Sequence, residues 1–298
     1  ISVGIPYVLT FYLLLAVLED SGYLTSAAVL MDRVFGVMGL PGRTAIPLLA
    51  AAGCNVPAIY GTRVLRTRRE RILASFLITL TPCSARSAVV IAALAPFAGV
   101  GAAIAAFGVV AVATIGAGLG ANALIPGRQP SLVLELAPLR MPVLRHVWTK
   151  AWWRFRGFVV TATPIMLIGS LVLGFIYEAG MWQGIADVIG PSVQWLLGLP
   201  AIAGVAMAFA FLRKELALQL LIAFAAVQFG RSMGLGDLMS PPQLFVYAVV
   251  SSLSIPCIAT LAALRGELGN RAAIGISIAS LALAIGVGAL LARLLGIA

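Results

Sequence analysis

Leu80-Thr81-Pro82-Cys83-Ser84-Ala85 lies deep in an apolar run, and its pattern returns as Ser254-Ile255-Pro256-Cys257-Ile258-Ala259 in another. The remaining cysteine stands in Gly53-Cys54-Asn55-Val56-Pro57, so every cysteine of the chain has a proline close by. Proline has no N–H, and within a helix it frees the carbonyl four residues back. Pro57, Pro82 and Pro256 would free Gly53, Ile78 and Ser252 if each lay in a helix. A soft sulfur beside a bare carbonyl within a membrane marks a place where a cation can pass. The plainer alternative is a small thiol chosen for close helix packing. It suits one such cysteine better than three in matching contexts.

The class follows from composition. Hydrophobic residues make up 61% of 298 and charged residues 10%, with a mean hydropathy of +1.07. Soluble domains carry about 25% charged residues. Uncharged windows at 87–127, 157–177, 188–212, 238–264 and 272–292 match the roughly 20 residues a span requires. The fold class expected is therefore an all-α polytopic membrane protein, multi-pass in a cell inner or plasma membrane. The net charge of +10 does not imply nucleic acid. Of 20 basic residues 18 are arginine, and most fall in short connections, as the positive-inside rule requires. Residues 63–71 and 128–156 are thus expected in the cytoplasm, and 178–187, with only Glu178 and Asp187, outside. An odd number of cysteines argues against a disulfide framework. Residues 4–18 run into Glu19-Asp20 without a signal-cleavage pattern, and the start at Ile1 fits a fragment or a processed product.

Along the chain, 4–18 is expected as an apolar helix and 24–40 as an amphipathic stretch with Asp32 and Arg33. A short segment over 44–62 is interrupted by Pro47, Gly53 and Pro57. A helix over 72–95 carries Pro82 and Cys83, and one or two helices fill 97–125. Residues 128–156, basic and aromatic with Trp148, Trp152, Trp153 and Phe155, read as a linker helix on the cytoplasmic interface. The second half reads as a helix 157–177, an interfacial or re-entrant piece near 181–198, and helices 200–229, 242–264 and 271–296. The arginine loops place residues 71 and 265 on one side, so the two Pro-Cys helices run in opposite directions. Matching motifs on opposed helices are what an inverted repeat predicts, with its site at the repeat interface. The division expected is 1–127 for one repeat, 128–156 for the linker and 157–298 for the other repeat.

Several polar residues stand in this apolar setting. Asn55 brings an amide that needs a partner in lipid. On a helix Cys83, Arg86 and Ser87 would share a face. Arg86 is 15 residues beyond Arg71, or about 22 Å of rise, where a charge faces a cavity or a partner. Snorkelling to an interface, or a structural pairing with a carboxylate, is the competing account. Arg213-Lys214-Glu215 interrupts the run 188–230, and Glu215 shares a face with Gln219. Glu215 is either a carboxylate that holds or relays a cation or half of an internal Lys–Glu lock; both roles are compatible. Ser254 and Thr260 flank Cys257 at helical spacing, a weak signal because such residues commonly bond across helices. His146, the one histidine, belongs to the basic linker and suits an interface better than a metal. No phosphate loop, no His-Glu-x-x-His and no nucleophile elbow is visible, so the expectation is a transporter and not an enzyme.

Leu18-Glu19-Asp20-Ser21-Gly22-Tyr23-Leu24, Met31-Asp32-Arg33, Gly53-Cys54-Asn55-Val56-Pro57-Ala58-Ile59, Thr62-Arg63, Arg69-Glu70-Arg71 and Pro82-Cys83-Ser84-Ala85-Arg86 resemble, in order and spacing, the membrane domain of the FeoB ferrous-iron transporter family. Lys214-Glu215 and Pro256-Cys257 are similar to its second half. The resemblance is strongest over 12–90 and looser after 97. It implies two gate-type helical repeats with broken helices and transport of Fe²⁺ into the cytoplasm. It makes Cys54, Cys83 and Cys257 candidate ion-path residues, with Asn55 and Glu215 beside them as further candidates for contact with the metal. No permanently bound cofactor is expected; Fe²⁺ is cargo. The resemblance also implies a GTPase domain, either ahead of Ile1 or on a separate polypeptide. The remaining partner is the lipid bilayer, and a homo-oligomer is left open. Affinity order alone would favour Zn²⁺ or Cu²⁺ over Fe²⁺, so the metal rests on the resemblance. Two other readings stay in play: a gate-fold carrier of nucleosides or another solute, and a non-transporting membrane scaffold for a GTPase subunit.

Overall fold

Backbone groups in lipid find no water, so each spanning segment must satisfy them internally. The described residues do so with helices and contain no strand. The computed structural model describes residues 4–125, 141–178, 182–211, 214, 219, 221 and 239–297. Its helices are α1 (Gly4–Asp20), α2 (Tyr23–Val37), α3 (Ala45–Gly53), α4 (Asn55–Gly61), α5 (Arg68–Leu80), α6 (Ser84–Leu94) and α7 (Gly99–Leu124). They continue as α8 (Leu144–Glu178), α9 (Trp182–Leu197), α10 (Ala201–Phe209), α11 (Pro241–Leu253), α12 (Ile258–Leu268) and α13 (Asn270–Leu294).

By length and composition four of these stretches can cross a membrane, or up to six if each bent pair counts as one span. Two of the four are broken helices, α5–α6 and α11–α12, with half and 61% of their apolar windows buried. The other two, α7 and α13, are only 17% and 22% buried, so most of their surface is left for lipid. The broken spans are therefore the more buried ones.

The element order repeats. In the first half α2 bends by 105° toward α3, a nine-residue helix; in the second α9 bends by 108° into α10, also nine residues. After α4 in the first half, and after a stretch mostly outside the described residues in the second, come a 13-residue helix, a break and an 11-residue helix. An unbroken helix of 26 or 25 residues follows. Each of these long helices meets its broken partner through a glycine. Gly118 of α7 lies against Leu77 of α5, and Gly288 of α13 against Val250 of α11. Leu77 and Val250 occupy the same place, tenth, in their helices. Small residues at such crossings let helices approach where lipid removes the hydrophobic drive.

The expected continuous helices 72–95 and 242–264 are each divided. Pro82 cannot donate, and Thr81 before it is pushed out of the α region, so α5 stops at Leu80; Cys83, beyond the proline, is extended (φ −75°, ψ 171°) as the N-cap of α6. Ser254 ends α11 in the same way (φ −62°, ψ 175°), ahead of Pro256. Cys83, Arg86 and Ser87 thus do not share one helix face: Cys83 is the N-cap and only the other two lie in α6. The helix expected over 200–229 ends at Phe209 in a turn, and most of its remainder falls outside the described residues. The stretch 144–156, expected as a linker helix, continues without interruption into the next span as the 35-residue α8, while 126–140 lies outside the described residues.

By contacts the chain forms two compact units, which follow spatial rather than sequential order. Unit 1 takes its described residues from 1–78, 115–164 and 262–273, and unit 2 from 79–114, 165–261 and 274–298. In unit 1 Met38, Leu40, Leu65, Leu73, Ala74 and Leu77 form a buried cluster. The turn after α2 needs Gly39 (φ +74°), whose missing side chain leaves room for Asn122. Arg69 stitches this region, donating to Ile125 O (2.8 Å), Gly39 O (3.2 Å) and Asn122 Oδ1 (2.7 Å). Asp32 accepts from the Gly42 amide at 2.6 Å and holds the bend into α3. On the cytoplasmic side expected from the charge pattern, Glu267 of α12 is clasped by Arg63 and by Arg71 (2.7 Å). In unit 2 α6 packs on α11, and α9 on α10.

Candidate functional site

Each cysteine stands at a break between helices, and none lies inside one. Cys54 separates α3 from α4 in an extended conformation (φ −152°, ψ 134°), its amide donating to Ala50 O at 3.1 Å. Pro57 follows in the first turn of α4, where its missing N–H costs nothing because those amides have no helical partner. Asn55 opens α4 with 4% of its surface exposed, and its Oδ1 has no hydrogen-bond partner among the described residues. In the same unit a cavity of about 490 Å³ is lined by Tyr12, Ile46, Val56, Pro57, Tyr60 and Trp153, among others. Glu19 and Arg154, which also line it, pair at 2.7 Å.

Unit 2 holds the other two breaks. Cys83 caps α6, and its carbonyl accepts from Ser87 N at 2.9 Å. Cys257 Sγ lies 3.1 Å from Thr260 Oγ1, and the next amide, Ile258 N, donates to Phe211 O at 2.9 Å. Two buried cations converge on these breaks. Arg86, 2% exposed, donates to Thr79 O at the end of α5 and to Ser254 O (3.0 Å) after α11. Lys214, 5% exposed, donates to Ser254 Oγ (2.8 Å) and Ser251 O (3.4 Å). Each of the two interacts electrostatically with Cys83 and Cys257, and Lys214 also feels the charge of Arg86. Carbonyls at helix C-termini carry partial negative charge, so cations are at home there. Arg86 therefore does not snorkel; among the described residues it meets no carboxylate and caps two helix ends.

Of the five residues singled out for metal contact, Cys54 and Asn55 belong to unit 1 and Cys83 and Cys257 to unit 2, while Glu215 lies outside the described residues. Among the described residues no three His, Cys, Asp or Glu side chains group as a metal site. The role of Lys214 as a helix-end cap escaped the sequence because its acceptors, Ser251 and Ser254, are 37 and 40 residues away. The Glu267 clasp was missed for the same reason, its arginines lying 196 and 204 residues back.

Set against known proteins, residues 2–97 and 159–271 match the Gate family, described as nucleoside recognition. Residues 102–154 match the ferrous iron transport protein B C terminus. Among curated relatives, the Fe(2+) transporter FeoB of Synechocystis is 34% identical over 294 residues, covering 93% of this chain and 47% of the relative. The Fe(2+) transporter FeoB of Salmonella typhimurium is 32% identical over 192 residues, 63% of this chain and 25% of its own length. That of Escherichia coli K12 is 33% identical over 193 residues, with the same coverage. The chain thus spans about half or less of the length of these relatives. No solved structure matches it. The chain belongs to the Gate family, in the form whose two Gate segments flank a ferrous iron transport protein B C-terminal segment.

Proposed function

We propose that the chain carries Fe²⁺ across the membrane into the cytoplasm, with Cys54, Cys83 and Cys257 as the residues the ion meets. The observation that carries this is that all three cysteines stand at helix breaks, in a chain similar to proteins named Fe(2+) transporters. A break supplies thiols outside any helix, where a dehydrating ion can meet them. At the Cys83 and Cys257 breaks, however, the carbonyls of Thr79, Ser251 and Ser254 are held by Arg86 and Lys214. Asn55 Oδ1, buried without a partner, offers a neutral oxygen beside Cys54. Glu215 would add a carboxylate. Thiols load as thiolates when the metal arrives and releases their protons, which keeps the empty path from binding too tightly. The repeated element order supports two repeats, and their opposed direction follows from the arginine loops; the ion site then falls at the repeat interface. A GTPase domain or subunit would supply the coupling.

A second reading has one observation in its favour. The 490 Å³ cavity of unit 1 presents Tyr12, Tyr60 and Trp153, and its volume falls in the range of about 300–1,000 Å³ of small-molecule sites. That suits a nucleoside or a similar planar solute. One experiment separates the two. The chain is reconstituted in liposomes and uptake of Fe²⁺, Zn²⁺, Mn²⁺ and labelled nucleosides is followed for the parent and for Cys54→Ser, Cys83→Ser and Cys257→Ser. Metal uptake that falls in the variants supports the path. Three variants that transport metal like the parent would sink it.

A further inference from the structure

We propose that the paired breaks of unit 2 hold a small monovalent anion, a halide or a short carboxylate, between Arg86 and Lys214. The inference stands on buried charge and does not depend on which solute crosses the membrane.

Arg86 and Lys214 are 2% and 5% exposed, in segments read as spanning the membrane, where a charge faces a partner or an aqueous cavity. Both are within electrostatic range of each other, so each adds repulsion to the burial of its neighbour. Their hydrogen-bond partners are neutral: Thr79 O, Ser254 O, Ser251 O and Ser254 Oγ. Among the described residues no carboxylate forms an ion pair with either.

The helix ends do not make up the difference. The C-termini of α5 and α11 each present about half a negative charge, but the N-termini of α6 and α12 at the same breaks each present about half a positive one. These contributions largely cancel, so the helix ends add little net negative charge to offset Arg86 and Lys214. Both half-helices have 11 residues, long enough to carry such a dipole. A small ion can reach the place, because residues 81–85 and 257–259 are only half-buried. Ser252, 1% exposed, lies in sequence between the two residues that accept from Lys214, and its hydroxyl has no partner among the described residues. The groups able to supply negative charge from within are the thiols of Cys83 and Cys257, and Glu215 outside the described residues. They are the competitors of an external anion.

The test uses the full chain in lipid nanodiscs and chloride itself as probe, read from the line width of its NMR signal during titration. The parent is expected to broaden the signal saturably, and formate to compete. Lys214→Met is expected to weaken binding about tenfold or more, the scale of one charge-assisted hydrogen bond. Arg86→Lys, which keeps the charge, is expected to retain part of it. No saturable broadening by the parent overturns the proposal, as does unchanged binding by Lys214→Met. Binding that appears only in Cys83→Ser/Cys257→Ser or in Glu215→Gln overturns it too, because the protein then supplies its own anion. Should Lys214→Met not yield monodisperse protein, bromide-soaked crystals of the parent decide. An anomalous peak within hydrogen-bond reach of both cations supports the site, and its absence overturns it.

Discussion

At the Cys54 break the buried atom left without a partner is an acceptor, Asn55 Oδ1, whereas at the Cys83 and Cys257 breaks nearby acceptors are taken by the guanidinium of Arg86 and the ammonium of Lys214. The two regions are announced by the same sign in the sequence, a cysteine beside a proline. Their electrostatics are opposite. A bare cation arriving at the first would find an open oxygen; at the second, among the described residues, it would meet Arg86 and Lys214 beside the thiols. The difference teaches that a broken helix is a supply of backbone groups, and that neighbouring side chains decide whether an ion can use them.

The largest expected effect tests the capping half of this contrast. Arg86→Ala strips the carbonyls of Thr79 and Ser254 of their donor and is expected to cost about 3 kcal/mol, since each orphaned buried group costs about 1–3 kcal/mol. Equilibrium unfolding in mixed micelles measures it, and a cost under about 1 kcal/mol would mean that water replaces the arginine. Next comes transport. Each Cys→Ser variant is expected to lower Fe²⁺ uptake about tenfold or more, the range seen when groups around a metal are altered. Equal losses at Cys54 and Cys257 would put both regions on one path; a loss at Cys54 alone would leave the cationic breaks as structure. Asn55→Leu probes the other side of the comparison. Removing an unsatisfied acceptor is expected to raise stability by about 1 kcal/mol while lowering uptake, a split that a merely structural asparagine would not give.

The smallest effect serves as a control away from both regions. The Val143 amide (3.0 Å) and the Lys150 ammonium (3.2 Å) hold the Asp20 carboxyl below its ordinary value. A depressed carboxylate contributes stability above its unfolded value, near pH 4, and loses it as pH falls through the folded value. Hydrogen exchange at the Val143 amide should therefore quicken below about pH 4 in the parent and be pH-insensitive beyond its intrinsic rate in Asp20→Asn. Asp20 is half-buried but its partner Val143 is exposed, so global stability should move little.

Much of the architecture was legible because proline and charge act locally. Pro82 and Pro256 marked the broken spans, and the arginine loops marked the ends. Whether a proline kinks a helix or divides it was not legible. That depends on what receives the freed carbonyls, and Arg86 reaches Ser254 across 168 residues of sequence. The pairing of Glu267 with Arg63 and Arg71 was hidden likewise, since helical periodicity reports on neighbours within a turn or two. Cys54 was the most readable residue, because Gly53 and Pro57 flank it and the break is local.

One consequence concerns α8. A continuous helix of 35 residues is a rod about 52 Å long. Its first turns carry Lys150 and Arg154, moored to Asp20 and Glu19 of α1, and Pro164 near its middle is the one place where its ladder is interrupted. A rod with a single weak point is a lever with its fulcrum fixed by sequence. Bending at Pro164 would tilt the residues beyond it while the basic end stays moored to α1.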